Sequence, residues 1–410
     1  MSVQPTVLVL DGHTIQALAC VRSLGRAGYP VMVASHRRRP LAAASKYCVR
    51  RWRVPAQTVE GFAQLRAWAA GAGVDIILPL TERSCLLCNA ERAAWTDRSI
   101  TVGCGPNDML LQAFDKARTL RRAEQCGIRI PTTRFPTTPE GFRLAAQEVG
   151  LPCVVKARYS NVWDGNTFRV DPGVAYVTQL DELDGAVAAR CQGPYQPLIQ
   201  RFVSGRGRGV FTVCDRGRPL SWFAHERLRD VRPSGSGSCL RRSVPLEPTL
   251  RHAAEQLLGE LEWHGPAMLE FLDDGHHTPW LMEINGRFWG SLHLAVAAGA
   301  DFPVHWVRVL SGLPVTPKEP YRCGVTARWL WGDVKRLLYI ARGAPIGYPR
   351  AYPRLREGLR EFFGLQPPGT RIETWDPHDP WPLAAEVVQG ITELFRFGTH
   401  ARNSQMSKAT

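Results

Sequence analysis

The stretch Glu270-Phe-Leu-Asp-Asp-Gly-His-His-Thr-Pro-Trp-Leu-Met-Glu283-Ile-Asn285-Gly-Arg287 gathers two carboxylates, an amide and a guanidinium around one turn signal. Met268 to Leu272 and Trp280 to Ile284 read as short buried strands, and Asp-Asp-Gly between them as a hairpin turn. Paired in that way, Glu270 and Glu283 lie side by side. Alternation along the second strand puts Glu283, Asn285 and Arg287 on one face, so three hard oxygens converge beside one guanidinium, the outline of a magnesium and phosphate site. A solvated strand face with a charge-paired Arg287 would show the same spacing. Two features weigh against it: these polar groups sit among Leu, Met, Ile and Phe, where unpaired charge is costly to bury, and an acidic partner precedes them at hairpin distance.

Further cationic residues fall in suggestive places. Leu151-Pro-Cys-Val-Val-Lys156 is an apolar strand ending on an ammonium, which is uncommon unless an anion meets it. Segment 108–126 reads as one helix, on which Lys116 is either an anion ligand or a plain surface lysine. Arg227 and Arg229 lie two apart on a presumed strand, so their guanidiniums are expected to point the same way and grip an anionic substrate as a fork. The Pro-Ser-Gly-Ser-Gly-Ser run after them reads as a mobile loop, with Arg241 and Arg242 beyond it, although a solvated hairpin tip has the same composition.

Taken in order, Pro106 with Asp115-Lys116, the Lys156 strand, Leu198-Ile-Gln-Arg-Phe-Val-Ser-Gly205, and Glu270 followed by Glu283-x-Asn285-x-Arg287 resemble the ATP-grasp superfamily of ligases. Within it they are similar to the carboxylate–amine ligases and the module of carbamoyl-phosphate synthases. The resemblance runs from about Val7 to Pro314. It implies ATP and Mg2+ (or Mn2+) as cofactors, with the metal on Glu270, Glu283 and Asn285. Lys116 and Lys156 would meet the phosphates, and Gln200, Arg201, Phe202 and Val203 would form a hinge holding adenine through backbone groups. Arg287 and Lys156 would be catalytic, and Arg227, Arg229 and Arg241 would bind substrate. Two departures stand out. Arg201 replaces the glutamate common after the hinge glutamine, and the flap Ala157-Arg-Tyr-Ser-Asn-Val-Trp-Asp-Gly165-Asn has a single glycine, so Arg158, Ser160 and Asn161 are expected to cover the phosphates in place of bare amides.

The expected fold class is α/β. A pre-ATP-grasp open α/β domain spans 1–105, a small lobe with its leading helix 106–197, a large lobe with the metal and substrate site 198–314, and a small, mainly helical, basic C-terminal region 315–410. The 410 residues exceed the size at which one core splits. Thr6–Leu10, a helix to Ala27 and Tyr29–Ala34 make a βαβ opening, but Gly12 stands alone where a dinucleotide turn needs three glycines, which disfavours NAD. Thr81 and Glu82 end a strand, as ligand contacts or, more ordinarily, as helix caps. Neither a signal peptide nor a membrane span is indicated, so a cytoplasmic protein with reduced, buried cysteines is expected. Cys85-Leu-Leu-Cys88 reads as a helix face, and His293 as a core histidine.

A net charge of +14 implies anionic partners at some level, yet the arginines are scattered and no nucleic-acid motif localises them. The segment from Arg328 reads as an amphipathic docking or lid helix, with a membrane surface as its alternative. Pro345–Pro353 reads as a linker-like turn and 403–410 as disordered. The resemblance implies a ligase joining a carboxylate to an amine through an acyl phosphate, with small anionic substrates and no specific nucleic acid; a homodimer is common among such relatives. The alternatives are a carboxylase working through carboxyphosphate and a catalytically silent nucleotide- or RNA-binding protein.

Overall fold

In the computed structural model, residues 4–165, 167–171, 173–276, 279–317 and 320–406 are described. The chain opens as β1 (Val7–Val9), α1 (Ile15–Arg26), β2 (Val31–Ser35), β3 (Cys48–Arg53), α2 (Val59–Gly71), β4 (Ile76–Leu78), α3 (Glu82–Ala90), α4 (Arg92–Thr96) and β5 (Thr101–Val102). β1, β2 and β4 are apolar and buried along their whole length, as strands covered on both faces must be. They form a parallel sheet in the order β3-β2-β1-β4-β5. Gly12 follows β1 because a Cβ there would lie 2.3 Å from Val33 Cγ1, so packing against β2 accounts for this lone glycine. Thr81 does cap α3, accepting from the amide of Ser84.

The single helix expected over 108–126 is two: α5 (Asn107–Phe114) and α6 (Lys116–Gln125). Asp115 breaks it. Its carboxylate accepts from the Ala117 amide and from Arg158 and Tyr159, so the buried acid caps a new helix and leaves Lys116 at that helix's first position. Next come β6 (Thr133–Arg134), α7 (Pro139–Val149), β7 (Cys153–Lys156), the β8 (Asn161–Trp163) and β9 (Phe168–Val170) flap, β10 (Ala175–Val177), α8 (Leu183–Ala188) and β11 (Leu198–Arg201). The small sheet runs β10-β7-β11-β6. It includes β11, so the small lobe extends past the expected boundary at 197.

β12 (Arg206–Asp215), β13 (Arg218–Arg232), β14 (Ser236–Ser243), α9 (Pro248–Glu260), β15 (Gly265–Asp273) and β16 (Trp280–Asn285) build the large lobe, followed by α10 (Leu292–Ala298) and α11 (Phe302–Leu310). β14 begins at Ser236, so most of the Gly/Ser run expected as a loop is strand, joined to β13 by a short turn. Alternation sorts the sheet. Val210, Leu269, Phe271 and Ile284 pack with Leu257 and Leu258 of α9, while Phe211, Phe223 and Met268 pack with Phe288, Trp289 and Leu292.

The C-terminal part is mainly helical, as expected, but it also adds two short strands to the large sheet. β17 (Thr326–Arg328), α12 (Leu330–Arg342), α13 (Leu355–Phe363), β18 (Arg371–Ile372) and α14 (Trp381–Met406) follow, and both strands extend the large sheet to the order β16-β15-β12-β13-β14-β17-β18. α12 lies on β13 and β14, which is the docking arrangement. α14 reaches Met406, within the tail expected to be disordered; residues 407–410 lie outside the described residues. Buried ion pairs fasten this region. Arg22, 1% exposed, donates to Asp379 and to the carbonyls of Glu373 and Thr374, and Asp379 also accepts from Ser45 and the Lys46 amide. All cysteines of the chain are free, most of them buried, although Cys323 is exposed. No helix among the described residues is long and apolar enough to cross a membrane.

Removing one member of a buried pair strands the other. Arg22→Ala should therefore lower unfolding stability by about 3–5 kcal/mol, whereas Arg143→Ala, from the exposed pair with Asp184, should cost less than about 1 kcal/mol. Denaturant titration of both variants checks the contrast.

Candidate active site

The β15–β16 hairpin sets Glu270 directly opposite Glu283. Both carboxyls line a cleft of about 1260 Å³ between the two lobes. Asn285, next on the same face, donates its amide N–H to Glu283 Oε1 at 3.1 Å, which leaves its carbonyl oxygen to face the cleft with the carboxylates. Burial holds Glu270 above its ordinary pKa despite Arg227. Burial works the same way on Glu283, but Lys116, the Asn285 amide, Lys156 and Arg227 outweigh it and hold that carboxyl below its ordinary value. Among the described residues no group of three or more His, Cys, Asp or Glu side chains is arranged so that it could hold a metal ion. Two carboxylates plus an amide oxygen is instead the donor set of a hard cation that completes its shell with phosphate oxygens and water.

Lys156, at the end of β7, donates to Gln200 Oε1 at 2.7 Å, and Lys116 donates to Ser160 Oγ at 3.1 Å with Asp171 at 4.0 Å. Both lysines line the cleft opposite the carboxylates. Burial lowers the Lys156 pKa to about 8, with Lys116 acting in the same direction and Glu283 and Glu270 opposing. Arg287 lies beyond the end of β16 and also lines the cleft; its Nη1 donates to the Phe288 carbonyl at 3.1 Å.

The expected arginine fork does not form. The β13–β14 register slips between Arg227 and Arg229, so the two side chains part. Arg227 turns into the cleft and meets Glu270 Oε2 at 2.5 Å. Arg229 turns away to Asp333, the Glu361 carbonyl and Gln366. Arg241 borders the cleft but is spent on Glu373, Ser238 and the Gly290 carbonyl, so it holds β14 to the C-terminal part and has no free face for substrate. In the flap, Ser160 alone of the three expected residues faces the cleft. Arg158 is clamped on Asp115, and Asn161 joins Glu82 and Arg83 of α3, tying the flap to the N-terminal domain.

Three comparisons bear on this arrangement. A family profile described as "ATP-grasp in the biosynthetic pathway with Ter operon" matches residues 198–331. The fold is similar to that of the biotin carboxylase–β-γ-ATP complex from Campylobacter jejuni, with a TM-score of 0.61 and 16% identity over 78% of this chain and 74% of that one. It is likewise similar to the biotin carboxylase domain dimer of Hydrogenobacter thermophilus 2-oxoglutarate carboxylase, crystallised with MgADP, ADP and bicarbonate: TM-score 0.60, 14% identity, 80% and 74% coverage. Over residues 198–331 the chain is thus similar to an ATP-grasp family. Among curated proteins, the carbamoyl phosphate synthase large chain of Deinococcus deserti is 29% identical over 195 residues, which is 45% of this chain and 18% of that one. The chain thus matches less than a fifth of that relative's length.

The sequence reading expects a hinge at Gln200–Val203, and the structure narrows what each residue could offer there. Gln200 is buried between Lys156 and Thr133, to which its amide donates at 2.9 Å. The amides of Arg201 and Phe202 are bonded to the carbonyls of Thr132 and Pro152 within the small lobe, and the Arg201 side chain is exposed. The hinge reading therefore falls on Val203, with Val154, Leu272 and Met282 as apolar walls. Sequence reasoning took Pro345–Pro353 as a linker-like turn and missed that Pro345, Ile346, Tyr348 and Tyr352 within it line this cleft. Tyr348 packs against Tyr176 at 5.1 Å and Phe202 at 6.3 Å, and the Tyr176 hydroxyl donates to the Ser234 carbonyl. The tyrosines Tyr339, Tyr348 and Tyr352, gathered in one short stretch, were the available signal.

Two outcomes are expected. The Lys156 ammonium is present below its pKa of about 8 and lost above it, so the apparent Kd for ATP should rise with pH above that value, by at most about tenfold per unit. In Lys156→Arg, which stays charged, the break should vanish; isothermal titration from about pH 7 to about pH 9.5, below the ordinary lysine value of about 10.4, decides. Secondly, Arg229→Ala should lower stability by about 1–3 kcal/mol, because Asp333 keeps Arg328, and leave turnover per folded molecule within about twofold, whereas Arg227→Ala should impair turnover.

Proposed function

We propose that this protein is an ATP- and magnesium-dependent ligase of the ATP-grasp type that activates a carboxylate as an acyl phosphate and joins it to an amine, giving an amide, ADP and phosphate. The observation that carries the reading is the in-register pair Glu270 and Glu283, with Asn285 beside it and two lysines across one interlobe cleft.

Glu270, Glu283 and the Asn285 oxygen would hold the metal. Magnesium or manganese bound there offsets charge on the ATP phosphates and polarises the terminal phosphoryl group. Lys116 and Lys156 would meet the phosphates from the small lobe, and the base would lie at Val203 between Val154, Leu272 and Met282. A substrate carboxylate oxygen attacks the γ-phosphorus, and the bond to the β-phosphate oxygen breaks with its electrons leaving on ADP. Arg287 stabilises the charge that develops on the acyl phosphate, a contribution strengthened by partial exclusion of water. Attack of an amine on the acyl carbon then expels phosphate. No side-chain nucleophile is needed for either half-reaction.

Glu283→Gln keeps the shape and removes one metal-facing charge, so turnover should fall by at least about two orders of magnitude while folding and nucleotide binding persist. Product analysis of the wild type should show ADP and phosphate; AMP and pyrophosphate would replace the acyl-phosphate mechanism with an adenylating one.

A further inference from the structure

The face that carries the two carboxylates continues in register across the sheet. Glu283 lies opposite Glu270, Glu270 opposite Gly209, and Gly209 opposite His225. Residues opposite one another in adjacent strands project from the same face, so Glu283, Glu270 and His225 share one row with a glycine between the acid pair and the histidine. Gly209 has no side chain of its own there, and the Phe211 and His225 rings pack over it. A Cβ there would come within 2.4 Å of the Phe211 ring and 2.9 Å of the His225 ring.

His225 is 1% exposed, packs edge-on against Phe211 with ring centroids 4.7 Å apart, and forms part of the cleft wall. Neither ring nitrogen has a hydrogen-bond partner among the described residues. Burial, helped by Arg227 and Arg241, holds its pKa well below the ordinary value, so the ring is neutral, with one N–H and one lone pair. Arg227 Nε, Arg287 Nε and Trp289 Nε1 are buried and unpartnered along the same cleft, and Trp289 also packs against Phe211, with ring centroids 4.5 Å apart.

Buried polar atoms without partners are rare in folded proteins, and a cluster of them in a cleft marks where a ligand completes the bonding. The two arginine nitrogens and the indole nitrogen are donors only, and oxyanions satisfy them. The lone pair of a neutral imidazole takes an N–H or O–H instead. We propose that His225 positions an amino or hydroxyl donor of a substrate, two strands over from Glu270 in the same row. This deepens the ligase reading and rests on it: one of the two substrates must carry such a donor at that place. The donor comes either from the amine substrate or from a second group on the carboxylate substrate. The role is positioning, with no proton transfer assigned.

The test uses full-length protein saturated with magnesium and ADP. Calorimetry measures two matched probe pairs, lactate against propionate and ethylamine against ethyltrimethylammonium, on wild type, His225→Leu and His225→Gln. The donor-bearing member of one pair is expected to bind at least tenfold more tightly to wild type. That preference should fall below twofold in His225→Leu and survive in part in His225→Gln, while ADP affinity is unchanged in both. A response in the acid pair assigns the donor to the carboxylate substrate, and one in the amine pair to the amine. On wild type carrying ¹⁵N-labelled histidine, the same probe should shift the unprotonated His225 nitrogen, which a purely structural histidine would not show and which requires no variant to fold. Absence of donor preference in both pairs, a preference that survives His225→Leu, or an unmoved nitrogen overturns the proposal. Failure of wild type to bind ADP with magnesium would instead sink the ligase reading itself.

Discussion

Two carboxylates held side by side by strand register are the constraint around which the site is arranged. Like charges at hairpin distance repel, and burial makes each costlier to ionise. The protein answers with cations from three directions: Arg227 from the centre of the large sheet, Lys156 from the small lobe and Lys116 from the start of a helix. Each of those depends on a local device. A slipped register turns Arg227 inward, Gln200 anchors Lys156, and Asp115 breaks a helix so that Lys116 sits at its head. The compensation is uneven, leaving Glu283 easier to ionise and Glu270 harder. Such a pair is poised for a divalent cation, which favours the ionised form of both.

How far the sequence alone carried depended on whether a feature was local. The hairpin was legible because turn chemistry and alternation act within a few residues, and the pairing of Glu270 with Glu283 follows from them. Capping by Thr81 was legible for the same reason. Arg229 and Arg241 were misread because their partners, Asp333 and Glu373, lie far along the chain, and no local pattern announces a long-range ion pair. The helix break at Asp115 was hidden likewise: its cause is Arg158 and Tyr159 in the flap loop as much as the capping bond. The two β17 and β18 strands are too short to show a period.

The same long-range ties make the C-terminal part a structural component of the site. Arg241 connects β14 to Glu373, Arg229 connects β13 to Asp333, and Tyr348 packs against Phe202 at the end of the small sheet. The family-like core, taken by itself, would lack one wall of its own cleft.

The placement of β17 also bears on the order in which a growing chain can complete its fold. Until residues 326–328 emerge, Ser236–Ser243 is the outer strand of the large sheet, with open hydrogen-bonding groups along one side. The arginine clamp on Asp379 cannot form until later still. The segment 244–325 must therefore be synthesised while that edge stands bare, so the interval between translation of β14 and arrival of β17 is when this chain is most exposed to pairing with another copy of itself.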